Sequence, residues 1–297
     1  MRVSSLLSIT VILVLVISLV CIWFFPSIQD FMASNVMWNG ISHFSREFKA
    51  ENVDSLESLT EVPEDSILVA VPYLEYTENE LAAMKRFVDN GGTLLLMDDF
   101  GYGNSVLAYL GMEARFTNQL VLDPLFCYKN PAMPRITDFN PKIDGIDEVM
   151  LNHATTLTNV AEADVIAWSS SSSFLDLNEN SSWDEGEPKG PFTVAAKFKS
   201  GKGTVALVAD PSTVINTMVS RYDNYAFITY LTGRRGEQQE VFIDRSHLTK
   251  APLDVSKIRL TNTREWLSNP YALLGITALV FVVISRTTVV KKGETLG

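Results

Sequence analysis

The chain has 297 residues, 46% of them hydrophobic, and carries 24 Lys and Arg against 35 Asp and Glu, a formal net charge of −11. An acidic surface repels phosphate backbones, which argues against nucleic acid as a partner. Its two cysteines are Cys21, inside an apolar run, and Cys127, so a disulfide framework is not expected.

Leu6 to Phe25 carries no charge and, at about 20 residues, has the length of a membrane-spanning helix. Arg2 precedes it, and Trp23, Phe24 and Phe25 close it in the manner of an interfacial aromatic belt. The apolar region of a cleaved signal peptide is only about 7–15 residues long. The run therefore reads as an uncleaved anchor over residues 1–26. Ile28, Phe31, Met32, Ile41, Phe44 and Phe48 suggest helical material broken near Asn39-Gly40, followed by a short edge strand from Asn52 to Leu56.

The stretch from Ile67 to Gly111 organises the rest. Ile67 to Val71 is a β-branched apolar run closed by Pro72, the signature of a strand buried on both faces. Thr77 and Glu80 form a T-x-x-E capping box, and Leu81, Met84, Phe87 and Val88 share one helical face. Gly91-Gly92 ends that helix, and Thr93 to Met97 is a second buried strand with Asp98-Asp99 at its carboxyl end. Strand, helix and strand at this spacing predict a parallel βαβ unit. A glycine turn at Gly101 to Gly103 leads into a helix over Asn104 to Leu110. Weaker strands are expected at Met112 to Phe116 and Asn118 to Leu122, then an irregular loop from Asp123 to Ile146. Ala163 to Trp168 is a strand. Phe192 to Phe198 and Thr204 to Ala209 form a hairpin about a glycine turn, and Asp223 to Leu231 is a helix ended by Gly233. From Glu237 to Arg264 the text is mixed.

A second apolar run, Tyr271 to Ser285, reaches membrane length if extended to Val290 with Arg286 snorkelling; Lys291 and Lys292 follow. Basic residues on the outer side of both runs place both termini in the cytoplasm. The expected organisation is an anchor at 1–26, an extracytoplasmic domain at 27–265, and a transmembrane helix with a basic tail at 266–297. That makes a two-pass protein of the cell membrane with its main domain outside. The fold class expected is α/β, a doubly wound, mostly parallel sheet between two transmembrane helices.

Two groups of residues are candidates for chemistry. Asp98, Asp99, Asn104 and Asp210 lie where ligands of open α/β sheets bind, outside the carboxyl ends of strands. The bland reading is that these carboxylates cap the helices and turns that follow them. Residues 176–187, DLNENSSWDEGE, match the register of a 12-residue calcium loop. Asp176, Asn178, Asn180, Asp184 and Glu187 would supply side-chain oxygens, and Ser182 its carbonyl. Ser181 departs from the pattern where the sharp turn prefers glycine. The alternative is a solvated acidic loop built on Asx turns.

The stretches YTENEL, FVDNGGTLLLMDDFGYGN and VALVADPSTVIN, with Asn39-Gly40 before and Asp223-Asn224 after, resemble the glutamine-amidotransferase-like domain of unknown function found in membrane-anchored archaeal and bacterial proteins. The resemblance covers most of Trp38 to Leu231. It implies a doubly wound α/β domain and a neighbourhood with MoxR-type ATPases and transglutaminase-like membrane proteins, and no established activity. True amidotransferases carry a nucleophilic cysteine on a glycine-flanked elbow. Cys127 sits instead in LFCYK with no glycine beside it, and a Cys127–His153 dyad is the weaker reading. G-x-S-x-G and H-E-x-x-H are both missing from the sequence. The function expected is a non-catalytic binding or scaffold domain in a membrane complex. The alternatives are an amidotransferase-like hydrolase using the aspartate cleft, or an accessory subunit of an ABC-type export system.

Overall fold

The computed structural model describes residues 3–61, 63–236, 238–278 and 281. The chain divides into two units, residues 26–249 and residues 1–25 with 250–297.

In the smaller unit, α1 spans Val3–Phe24 and α6 spans Pro252–Ser268, and residues 270–278 are helical again. Among the described residues no helix is long and apolar enough to cross a membrane. In the second apolar run only 271–278 and 281 are described; the rest of the expected span and the basic pair Lys291-Lys292 lie outside the described residues. α6 carries Asp, Lys, Arg and Glu along its length and buries no residue. The two-pass membrane arrangement, with cytoplasmic termini and an extracytoplasmic domain, is therefore corrected.

The larger unit starts with α2 (Ser42–Phe48), whose Phe44 and Phe48 stack with ring centroids 4.3 Å apart. The sheet elements follow: β1 (Glu51–Val53), β2 (Ile67–Ala70), α3 (Glu78–Asp89), β3 (Thr93–Met97) and α4 (Gly103–Tyr109). Next come short strands: β4 (Arg115–Phe116), β5 (Leu120–Leu122), β6 (Arg135–Ile136), β7 (Asp138–Phe139), β8 (Val149–Met150) and β9 (Leu157–Thr158). The chain then makes β10 (Val165–Trp168), β11 (Phe174–Asp176), β12 (Thr193–Ser200), β13 (Gly203–Val208), α5 (Asn224–Thr232) and β14 (Val241–Asp244).

The central sheet has the order β1-β14-β2-β3-β13-β12-β10-β7. Its first five strands are parallel, with Ile67 opposite Thr93 and Thr93 opposite Thr204. From β12 onward the pairing is antiparallel, so the sheet is mixed rather than mostly parallel. β2, β3 and β13 are buried almost throughout because helices cover both faces, which is why they read as unbroken apolar runs. The connection β2→β3 moves one way across the sheet and β13→β14 moves the other. Right-handed crossovers then put α3 and α5 on opposite faces.

The βαβ unit forms as its sequence predicts. Thr77 and Glu80 make a complete capping box, and Leu81, Met84, Phe87 and Val88 are buried. Gly91 follows the helix at φ +115°. The end of α3 comes so close to β13 that a Cβ on Gly203 would lie 2.2 Å from the Gly92 carbonyl oxygen. The hairpin β12–β13 turns through Gly201-Lys202 between paired Ser200 and Gly203. The sequence reading misses the short strands β6 to β9 and β11, two of them within the expected irregular loop, and it misses β14, which lies in the mixed stretch and sits between β1 and β2.

Candidate functional site at the carboxyl edge of the sheet

Five parallel strands end on one edge, and four of them end at aspartate. Asp54 follows β1, Asp244 closes β14, Asp98-Asp99 follow β3, and Asp210 follows β13 one residue on. Tyr73 follows β2 between them. Bound groups of open α/β sheets sit at this edge.

Each carboxylate of the central part is engaged by the chain itself. Asp98, 1% exposed, accepts from the Gly101 N–H at 2.8 Å and from the Gly103 N–H at 2.7 Å. The turn needs both glycines, since a Cβ would lie 2.4 Å from the Pro72 carbonyl at Gly101 and 2.6 Å from Asp98 Oδ2 at Gly103. Asp99 accepts from the Phe100 N–H at 2.6 Å, and the Tyr73 hydroxyl lies 3.3 Å from both of its oxygens. Asp210, fully buried, accepts from the Ser212 N–H at 2.7 Å and from the Asn152 N–H at 2.6 Å. Asn104 does not join them. Its amide binds the N–H and carbonyl of Phe116, holding α4 to β4.

The cluster is electrostatically tense. Burial pushes Asp98 up to about 6, with the Asp99 charge adding and the glycine N–H groups opposing. Burial pushes Asp210 up to about 7; the Asn152 N–H opposes this and the Asp99 charge adds to it. Asp99 is raised by burial, against its Phe100 and Tyr73 hydrogen bonds and a smaller contribution from His153. Tyr73 is raised by burial and by the charges of Asp99 and Asp210. Raised carboxyls beside a tyrosine and a histidine are the raw material of acid–base chemistry, and also what a buried structural cap looks like.

A second cluster lies along the same edge, and sequence reasoning missed it. His247 is buried, with Nδ1 2.7 Å from Asp244 Oδ2 and Nε2 3.4 Å from Glu80 Oε2. The Tyr76 ring stacks on it at 3.7 Å between centroids, and the Tyr76 hydroxyl donates to Asp244 at 2.8 Å. Burial lowers the His247 pKa, but the Asp244 hydrogen bond and charge, with Glu80, override it, and the net shift is upward. The signal was present: VFID repeats the apolar-strand-then-Asp pattern of TLLLMD and TVALVAD.

The loop at residues 176–187 is a network of turns. Asp176 accepts from the Asn180 and Ser181 N–H groups, and Asn178 and Asn180 both donate to Asp184 Oδ2. Asn180 Oδ1 accepts from the Ser182 N–H, and Glu187 accepts from the Leu177 and Asp184 N–H groups. Among the described residues no group of three or more His, Cys, Asp and Glu is placed to hold a metal ion. The calcium-loop reading is corrected accordingly: Asp176, Asn180 and Glu187 accept from backbone N–H groups and Asp184 from the Asn178 and Asn180 side-chain amides. Cys127 bridges to Pro134 in an antiparallel pair, and His153 Nδ1 meets Asn152 Oδ1 at 3.0 Å.

Among solved structures, the chain is similar to the mmIFT52 N-terminal domain, with 16% identity and a TM-score of 0.48 over 66% of this chain and 91% of that one. A β-galactosidase from Bacillus circulans sp. alkalophilus is 14% identical, TM-score 0.34, over 57% of this chain and 23% of that one. The cytoplasmic protein STM3548 from Salmonella typhimurium is 13% identical, TM-score 0.33, over 64% and 78%. No curated protein matches the chain. The family model carries no amidotransferase assignment, and the membrane-anchored part of the resemblance is corrected because, among the described residues, no helix is long and apolar enough to cross a membrane. A family model matches residues 33–232, more than half of the chain, and the chain belongs to that family, the domain of unknown function DUF4350.

Proposed function

We propose that this chain is a non-catalytic binding domain that works within a larger assembly. One observation carries the reading: all six oxygens of Asp98, Asp99 and Asp210 accept hydrogen bonds from the chain's own N–H and hydroxyl groups. Carboxylates used in this way fix loops instead of reaching for a substrate. The loops they fix carry Leu74, Phe100 and Tyr102, all exposed, at the mouth of the edge. Aromatic side chains held on a rigid turn are what protein contact surfaces enrich.

A second reading has its own observation. The raised pKa values of Asp98 and Asp210, beside Tyr73 and His153, suit a hydrolase that moves protons near neutral pH. Asp99→Asn separates the two readings when returned to a host lacking the protein. The binding reading expects function to be retained with a shifted melting curve, because the asparagine keeps one oxygen for the Phe100 N–H and loses the second acceptor. Loss of function in a normally folded variant would replace it with the hydrolase.

A further inference from the structure

The edge opposite the aspartates has the reverse charge. There, at the amino ends of β2, β3 and β13, Lys197, Lys199, Lys202 and Arg235 line a cavity of about 180 Å³ together with Thr93 and Thr204. Among the described residues Asp65 is the one carboxylate of its lining. Lys197 Nζ donates to the Tyr230 carbonyl at 3.1 Å and lies over the Tyr230 ring, and Lys199 Nζ is 3.2 Å from the Thr204 hydroxyl. Among the described residues none of these four cations forms an ion pair. Burial and the neighbouring Lys199 charge lower the Lys197 pKa, the mark of like charges crowded without a counter-ion. In a chain of net charge −11, four cations around one hollow, without an ion pair among the described residues, are a local reversal of the average.

A cavity of this size holds a few waters, at roughly 30 Å³ each, or one tetrahedral anion. It does not hold a larger ligand whole. Asp65, Arg235 and Gln239 also line an adjoining cavity of about 660 Å³, within the roughly 300–1,000 Å³ range of small-molecule sites. That second cavity adds Glu64, Gln238 and Glu240, which accept from hydroxyl groups and repel a second phosphate. We propose that this composite hollow binds the phosphate monoester of a small polyhydroxylated molecule, with the phosphate among Lys197, Lys199, Lys202 and Arg235 and the hydroxyls in the adjoining chamber. The site lies at the other edge from the aspartates and stands independently of the reading given above.

The test is calorimetry on the full chain with inorganic phosphate, glucose 6-phosphate and glucose, at ionic strength held constant with chloride. Phosphate and glucose 6-phosphate are expected to bind at one site, the ester roughly tenfold more tightly or better, and glucose is expected to give no heat. Lys197→Gln and Arg235→Gln should each weaken the ester by roughly tenfold, the effect of removing one charge-assisted hydrogen bond. Arg235 is exposed, so its variant reports even if Lys197→Gln does not fold. The proposal is overturned if phosphate gives no more heat than chloride. It is equally overturned if the ester binds no better than phosphate, or if Arg235→Gln binds as the wild type does.

Discussion

Asp98 closes two N–H groups of one turn at once, and nothing else in its surroundings accepts from them. A buried donor left without an acceptor costs about 1–3 kcal/mol. Asp98→Ala is therefore expected to lose roughly 2–4 kcal/mol, read as a lower urea midpoint at unchanged slope. The titration of the edge gives a second expectation. The folded values of Asp98, about 6, and Asp210, about 7, stand above the ordinary 3.8 of an aspartate. A raised carboxyl contributes stability that is complete below its unfolded value and is lost as pH rises through the folded one. His247 is also raised, so its contribution is complete below 6.5 and declines above that, in the same direction. The melting temperature should fall from about pH 4 to about pH 7 through the aspartates, and further above pH 6.5 through His247. Asp210→Asn should flatten that decline by on the order of 2 kcal/mol. A melting temperature that climbs with pH over this window would contradict the burial argument.

Among the elements, α3 is where sequence and structure agree most closely. Its start is fixed by Glu80 Oε2 accepting the Thr77 N–H at 2.7 Å, and its buried stripe by the spacing of Leu81, Met84, Phe87 and Val88. Removing an N-cap hydroxyl costs about 0.5–2 kcal/mol. Thr77→Ala should fall within that range by thermal melting. It should also raise the exchange of amides in the first turn of α3, because the Glu80 N–H then loses the Thr77 hydroxyl that accepts it. The short strands behaved otherwise. Met112 to Phe116 and Asn118 to Leu122 read as weaker strands, and pairing is confined to Arg115–Phe116 and Leu120–Leu122. Each has one short partner, β9 and β11, so pairing stops where the partner stops.

For the molecule as a whole, the core of the larger unit is drawn from Phe31 through Leu248, with β14 returning to close the parallel half of the sheet. The segment 26–249 is thus expected to fold without the remainder of the chain. Expressed alone, it should melt cooperatively within roughly 5 °C of the full chain, which differential scanning calorimetry would read. A broad, non-cooperative transition would mean that the core depends on the other unit.

Local chemistry alone determined the βαβ unit, the β12–β13 hairpin and the helix caps. Capping oxygens, glycines and apolar periodicity act over a few residues and are written in the chain. The family resemblance was legible for the same reason, since its stretches coincide with those elements. Tertiary structure decided the rest. Whether an aspartate at a strand end faces a ligand or a backbone N–H depends on where the next turn goes, and Asp98 and Asp210 turned inward. The side-chain oxygens of Asp176, Asn180, Asp184 and Glu187 in the calcium-like register were taken up by the loop's own N–H and amide groups once it closed on itself. β14 became a strand only because β1 and β2 leave a gap of one strand's width. That placement brought Asp244 and His247 to Tyr76 and Glu80, more than a hundred and sixty positions away in the chain. The basic hollow likewise joins a hairpin to the end of α5, a proximity that no spacing in the sequence encodes.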